Sequence, residues 1–139
     1  ADFQKAVNFN AKFVVTPGFN YELSKQIINY NYSNYFPGID STMGIEAAQK
    51  FKLSTLKFFP ASIAGGAVYL KALQGPYADI KFIPTGGIGL HNMKEYLQLS
   101  NVIAVGGTGR GADTVCLIKP APTSEFNKLR MKALLAKPL

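Results

Sequence analysis

This chain is poor in the residues that carry redox and metal chemistry. Its 139 residues include a single cysteine and a single histidine. Cys116 alone can close no internal disulfide, and no second thiol or histidine cluster makes a metal motif with it. A reducing, cytoplasmic setting fits that usage. Long hydrophobic runs are missing too. No stretch of about 18 apolar residues occurs, so no transmembrane helix and no membrane partner are expected. The opening residues Ala1-Asp2-Phe3-Gln4-Lys5 lack the basic-then-apolar order of a signal peptide. Acidic residues are scarce as well, 8 against 15 lysines and arginines, which leaves a net charge of +7. The excess is scattered over Lys5, Lys12, Lys25, Lys50, Lys52, Lys71, Lys81 and Lys94, and only the stretch from Arg110 to Lys137 concentrates it. No nucleic-acid-binding motif accompanies it, so no nucleic-acid partner is expected. A solvated basic surface, or a field that attracts a phosphorylated small molecule, remains.

What is present suits one globular domain. Apolar residues make up 47% and charged residues 17%, which argues against disorder and allows a buried core. Within that apolar content one charge stands out. Lys57 sits inside Leu56-Lys57-Phe58-Phe59-Pro60. Loss of hydration there disfavours the ammonium and lowers the pKa. A neutral amine attacks carbonyl carbon and forms a Schiff base. The plainer alternative is a lysine that snorkels from a buried strand to water.

Two glycine clusters follow, each ending a strand-like run: Ile80-Lys81-Phe82-Ile83-Pro84-Thr85-Gly86-Gly87-Ile88 and Asn101-Val102-Ile103-Ala104-Val105-Gly106-Gly107-Thr108. Glycines at strand ends expose backbone N–H groups that can receive an anion. They also serve plain turns. In parallel barrels the loops after the last strands often hold phosphate.

The pattern alternates short apolar runs with amphipathic stretches. Helices are predicted over Asp2 to Phe9, Tyr21 to Tyr30 with Asn20 as cap, Asp40 or Ser41 to Lys50, Gly65 or Gly66 to Leu73, and His91 or Asn92 to Leu99. Strands are predicted at Lys12 to Thr16, Tyr35-Phe36, Thr55 to Phe59, Ile80 to Ile83 and Val102 to Val105. Gly109 to Thr123 reads as irregular, and Ser124 caps a last helix to about Ala136. This order predicts repeated βαβ units, a parallel sheet, and chemistry gathered at one rim. Five strands fall short of the eight that close a barrel, which leaves a partial barrel or an open parallel sheet.

The segments Phe13-Val14-Val15-Thr16-Pro17-Gly18, Phe36-Pro37-Gly38-Ile39, Leu56-Lys57-Phe58-Phe59-Pro60-Ala61, Gly65-Gly66, Lys71-Ala72-Leu73, Gly75-Pro76, Pro84-Thr85-Gly86-Gly87-Ile88 and Gly106-Gly107-Thr108 occur in that order. Together they closely resemble the 2-keto-3-deoxy-6-phosphogluconate (KDPG) and KHG aldolases, from about Ala1 to Thr108. The resemblance implies a class I aldolase on an α/β, (β/α)8 TIM-type barrel, here with about five βα units. It puts the Schiff base on Lys57 and the pyruvyl pocket at Pro17 and Phe59. Thr85 falls near the substrate, and Gly86, Gly87, Gly106, Gly107 and Thr108 fall at the phosphate. It implies no cofactor and no metal, a phosphorylated keto-acid substrate that yields pyruvate, and a homotrimer. It also marks two departures. The family's base glutamate and carboxylate-binding arginine lie before the matched region, and Glu22, Glu46 and His91 are poor substitutes. The segment after Thr108, from Gly109-Arg110-Gly111 to the end, diverges from the family. A Schiff-base aldolase and a catalytically impaired, self-associating, phosphate-binding remnant are therefore both expected readings of one partial barrel domain over 1–139.

Overall fold

A computed structural model describes residues 2–32, 34–108 and 114–118. The elements alternate as the sequence predicts. They are α1 (Asp2–Asn8), β1 (Val14–Val15), α2 (Tyr21–Asn29), β2 (Tyr35–Phe36), β3 (Gly38–Ile39) and α3 (Thr42–Lys50), then β4 (Thr55–Phe58), α4 (Gly66–Ala72), β5 (Lys81–Pro84), α5 (Met93–Leu97), β6 (Ala104–Thr108) and β7 (Thr114–Ile118). Asn20 caps α2 as expected, its side-chain oxygen accepting from the Leu23 N–H at 2.8 Å. Ser41 stands at the start of α3 without a side-chain cap, and α5 begins after Asn92 rather than His91.

Strands β1 to β5 pair in parallel, β1 with β2, β3 with β4, and β4 with β5. Parallel bridges Phe82–Val102 and Thr85–Gly106 carry the sheet on toward β6. The second strand differs from its expected form. The sequence predicts it over Tyr35-Phe36 alone, yet after Pro37 it resumes as β3. Proline has no N–H, so it interrupts the ladder. Its carbonyl still accepts from the Lys57 N–H at 2.9 Å, so β2 and β3 act as one broken stave between β1 and β4. The segment Gly109 to Thr123, expected to be irregular, contains β7, which pairs antiparallel with β6. Its run Thr114-Val115-Cys116-Leu117-Ile118 is β-branched and apolar, and the flanking Gly, Asp and Pro residues hid it. The helix expected from Ser124 to Ala136 lies outside the described residues.

The core lies on the helix side of the sheet. Leu56 and Phe58 of β4, Phe82 of β5 and Val102 just before β6 pack with Ile45, Ala48, Leu70 and Tyr96 of α3, α4 and α5. A second cluster of Phe3, Ile27 and Tyr35 packs α1 and α2 on β1 and β2. Among the described residues no helix is long and apolar enough to cross a membrane.

Phe58 has no exposed surface, stacks on Tyr69 at 5.7 Å and meets Phe82 edge-on at 6.5 Å. Phe58→Ala is expected to cost about 3–5 kcal/mol, because the helix layer cannot collapse into the space left. Urea unfolding followed by far-UV circular dichroism checks this.

Candidate functional site

The site grows from strand alternation. Leu56 and Phe58 enter the core, so Lys57 must emerge on the other face of the sheet. There it pairs with Gly38 on one side and Ile83 on the other. Its Nζ lies 4.6 Å from the centroid of the Phe59 ring. The ring face favours the ammonium. Burial disfavours it, and the net effect holds the Lys57 pKa below the ordinary lysine value. More of this amine is therefore neutral near neutral pH than in a solvated lysine.

Phe59 links the amine to the first glycine cluster, because Gly86 lies against its ring. Gly87 has φ of +71°, and a Cβ there would overlap the Ser62 side chain, whose own Cβ would be 2.7 Å away. Only glycine fits that position. The loops after β4 and β5 are stapled together. Ala61 N–H donates to Thr85 O at 2.9 Å, and Ser62 N–H donates to Gly86 O at 3.1 Å. The Asn92 amide braces the same turn, donating to Gly87 O and accepting from Gly89 N–H, both at 2.9 Å. Thr85 bridges to Gly106 on the next strand, and Gly107 abuts the Ile88 carbonyl.

A cleft of about 320 Å³ opens at the ends of β1, β3 and β4. Its walls include Pro17, Phe19, Gly38, Asp40, Ser41 and Phe59. The candidate residues thus fall in two adjoining places. Pro17 and Phe59 line the cleft. Thr85, Gly86, Gly87, Gly106 and Gly107 form the neighbouring rim. Lys57 does not line the cleft; its Nζ lies over the Phe59 ring, which borders both places. The Thr108 backbone pairs with Thr114, and its side chain lies outside the described residues, as does Arg110. Three contributors went unread in the sequence. Local sequence marks Asp40 and Ser41 only as helix caps and gives Ser62 no role. Their signal is weak, since each merely follows a strand end.

Two outcomes are expected. In a competitive amine-labelling titration, Lys57 reaches half-reactivity at lower pH than the exposed lysines, because the neutral form reacts and burial extends its range downward. Gly87→Ala lowers stability by about 1–3 kcal/mol, from the left-handed backbone and the collision with Ser62; chemical denaturation of the two proteins side by side measures it.

The family model for KDPG and KHG aldolase matches residues 1–117. The 2-dehydro-3-deoxy-phosphogluconate aldolase of Haemophilus influenzae is 46% identical over 103 residues, 74% of this chain and 48% of that protein. The enzyme of the same name from Treponema pallidum is 42% identical over 105 residues, 76% of this chain and 50% of that protein. KDPG aldolase from Legionella pneumophila, solved with pyruvate captured at low pH as a covalent carbinolamine intermediate, superposes with a TM-score of 0.69. It is 39% identical, over 76% of this chain and 50% of that one. The 2-keto-3-deoxy-6-phosphogluconate aldolase of Zymomonas mobilis, solved with 3-phosphoglycerate, gives a TM-score of 0.73. It is 26% identical, over 78% of this chain and 53% of that one. The chain spans about half the length of the curated relatives it matches. Its α/β fold of parallel strands is TIM-barrel-like, and the chain belongs to the KDPG and KHG aldolase family.

Proposed function

We propose that this chain carries the Schiff-base half of a class I aldolase that cleaves 2-keto-3-deoxy-6-phosphogluconate to pyruvate and glyceraldehyde 3-phosphate. The carrying observation is the partly buried Lys57 amine, its pKa lowered by burial, 4.6 Å from the centroid of the Phe59 ring that borders both the Pro17 cleft and Gly86. The capture of pyruvate as a carbinolamine in the Legionella pneumophila relative supports the same chemistry.

The neutral Nζ of Lys57 attacks the C2 ketone. The carbinolamine loses water and leaves an iminium. A base takes the C4 hydroxyl proton, the C3–C4 electron pair flows into the iminium, and glyceraldehyde 3-phosphate departs. Protonation of the enamine at C3 and hydrolysis release pyruvate and the amine. Phe59 and Pro17 enclose the pyruvyl part. Thr85 lies beside it, while Gly86, Gly87, Gly106, Gly107 and the Thr108 hydroxyl receive the phosphate. Glu22, Glu46 and Glu95 are exposed on helices, and the Glu46 carboxylate accepts from Tyr77 OH at 3.2 Å. Asp40 brings a carboxylate to the cleft wall but is exposed there. Following the family resemblance, the base is assigned to the part of the barrel that the five parallel staves leave open, and the assembly is taken as a trimer.

Phe13, Val15 and Ile103 support a partial barrel. Alternation along the chain sets them opposite the core-facing Val14 and Val102, with 50%, 47% and 37% of their surface exposed. Such a face is apolar enough to need covering by further staves or a second chain.

The test is incubation with pyruvate and borohydride, followed by peptide mass mapping. The expected result is a reduced pyruvyl adduct on Lys57, abolished in Lys57→Arg, whose guanidinium stays charged. A folded protein that binds inorganic phosphate but gives no adduct would replace the aldolase reading with the impaired, phosphate-binding one.

A further inference from the structure

We propose that a relay of three hydroxyls, buried at Ser24 and Tyr35 and half-buried at Thr16, holds the Pro17 loop against Gly38, the cross-strand partner of Lys57, which makes Tyr35 and Ser24 positioning residues of the site. Ser24 has no exposed surface and Tyr35 only 2%. A buried hydroxyl costs free energy unless it is bonded, so its place on the apolar face of α2 calls for a partner. Ser24 Oγ donates to Asn20 O at 2.7 Å and lies 3.1 Å from Tyr35 OH. Thr16 Oγ1 lies 2.9 Å from Gly18 O and 3.4 Å from Tyr35 OH.

The relay has three hydrogens and four contacts. The short Ser24 bond to Asn20 uses one, and Tyr35 donates the second to Ser24. The third belongs to Thr16, which shares it between Gly18 O and Tyr35 OH. Thr16 thus ties the Thr16-Pro17-Gly18 turn both to itself and to the strand beneath. From the other side the turn rests on Gly38, where an added Cβ would overlap the Pro17 carbonyl and lie 2.7 Å from Thr16 O. Gly38 is the cross-strand partner of Lys57. The path from the relay to the Lys57 backbone is therefore Tyr35, Thr16-Pro17, Gly38, Lys57, and the lysine's own side chain carries it on to the amine.

Tyr35→Phe is the decisive variant. It keeps the ring in its cluster with Phe3 and Ile27, and it leaves Ser24 and Thr16 each bonded to a backbone carbonyl, so the fold survives. This inference builds on the aldolase reading, so two readouts are taken. The first is borohydride trapping against pyruvate concentration. The half-saturating pyruvate is expected to rise roughly three- to tenfold, about the net worth of one hydrogen bond. The trapping rate at saturation and its pH profile stay as in the parent, because Lys57 is untouched. Ser24→Ala moves the same way, and Thr16→Ser, which keeps the hydroxyl, does not. The second readout is amide hydrogen exchange of the peptide spanning Gly18 and Phe19 without ligand, expected to quicken in Tyr35→Phe. An unchanged half-saturation in Tyr35→Phe overturns the positioning role, even with a lowered melting temperature. If the parent protein forms no adduct, the aldolase reading falls. The relay is then judged by exchange alone, and unchanged exchange overturns it.

Discussion

The registration of one strand governs this molecule. β4 is paired on both sides, and its alternation sends Leu56 and Phe58 into the helix layer and Lys57 to the opposite face. A slip of one residue would drive an ammonium into a dry core and expose two large apolar side chains. The burial of Leu56 and Phe58 therefore fixes where the amine emerges. Everything proposed of the site, from the lowered pKa to the neighbouring glycine rim, depends on that registration.

The rim around Lys57 is held by backbone more than by side chains. Two strand-end loops exchange peptide hydrogen bonds, Asn92 braces the turn from below, and Pro17 lies against Gly38. A site built this way is already ordered, so the protein itself would lose little freedom on binding a keto acid. It also gives several glycines a packing duty. Gly87 is required by Ser62 whether or not phosphate binds beside it. The glycine motifs consequently report on close approach as directly as on ligand chemistry.

Much of the architecture was legible in the residues. The helix start at Asn20, the break at Pro37 and the alternation around Lys57 follow from local geometry: a capping side chain, a missing N–H, and a period of two. The resumption of the second strand after Pro37 was not legible. It depends on a hydrogen bond from Lys57, about twenty residues away in sequence, that no local signal announces. β7 escapes a local reading because the flanking Gly111, Asp113 and Pro120 outweigh its three β-branched residues, Thr114, Val115 and Ile118. Pro17, Phe59 and the glycines were found through motifs, whereas Asp40, Ser41 and Ser62 carry no motif and join the site only by proximity.

By itself the sequence determined the order of βα units, the unusual placement of Lys57 in an apolar strand, and the glycines at strand ends. These are properties of short segments, set by side-chain period, backbone freedom and hydration. The tertiary structure decided which segments meet. Phe59 lies beside the amine, Gly86 beside Phe59, and the Thr16-Pro17 turn on Gly38 above the Tyr35 hydroxyl. Those contacts join residues far apart in the chain. Their geometry comes from parallel registration and helix packing acting together, which no single segment contains.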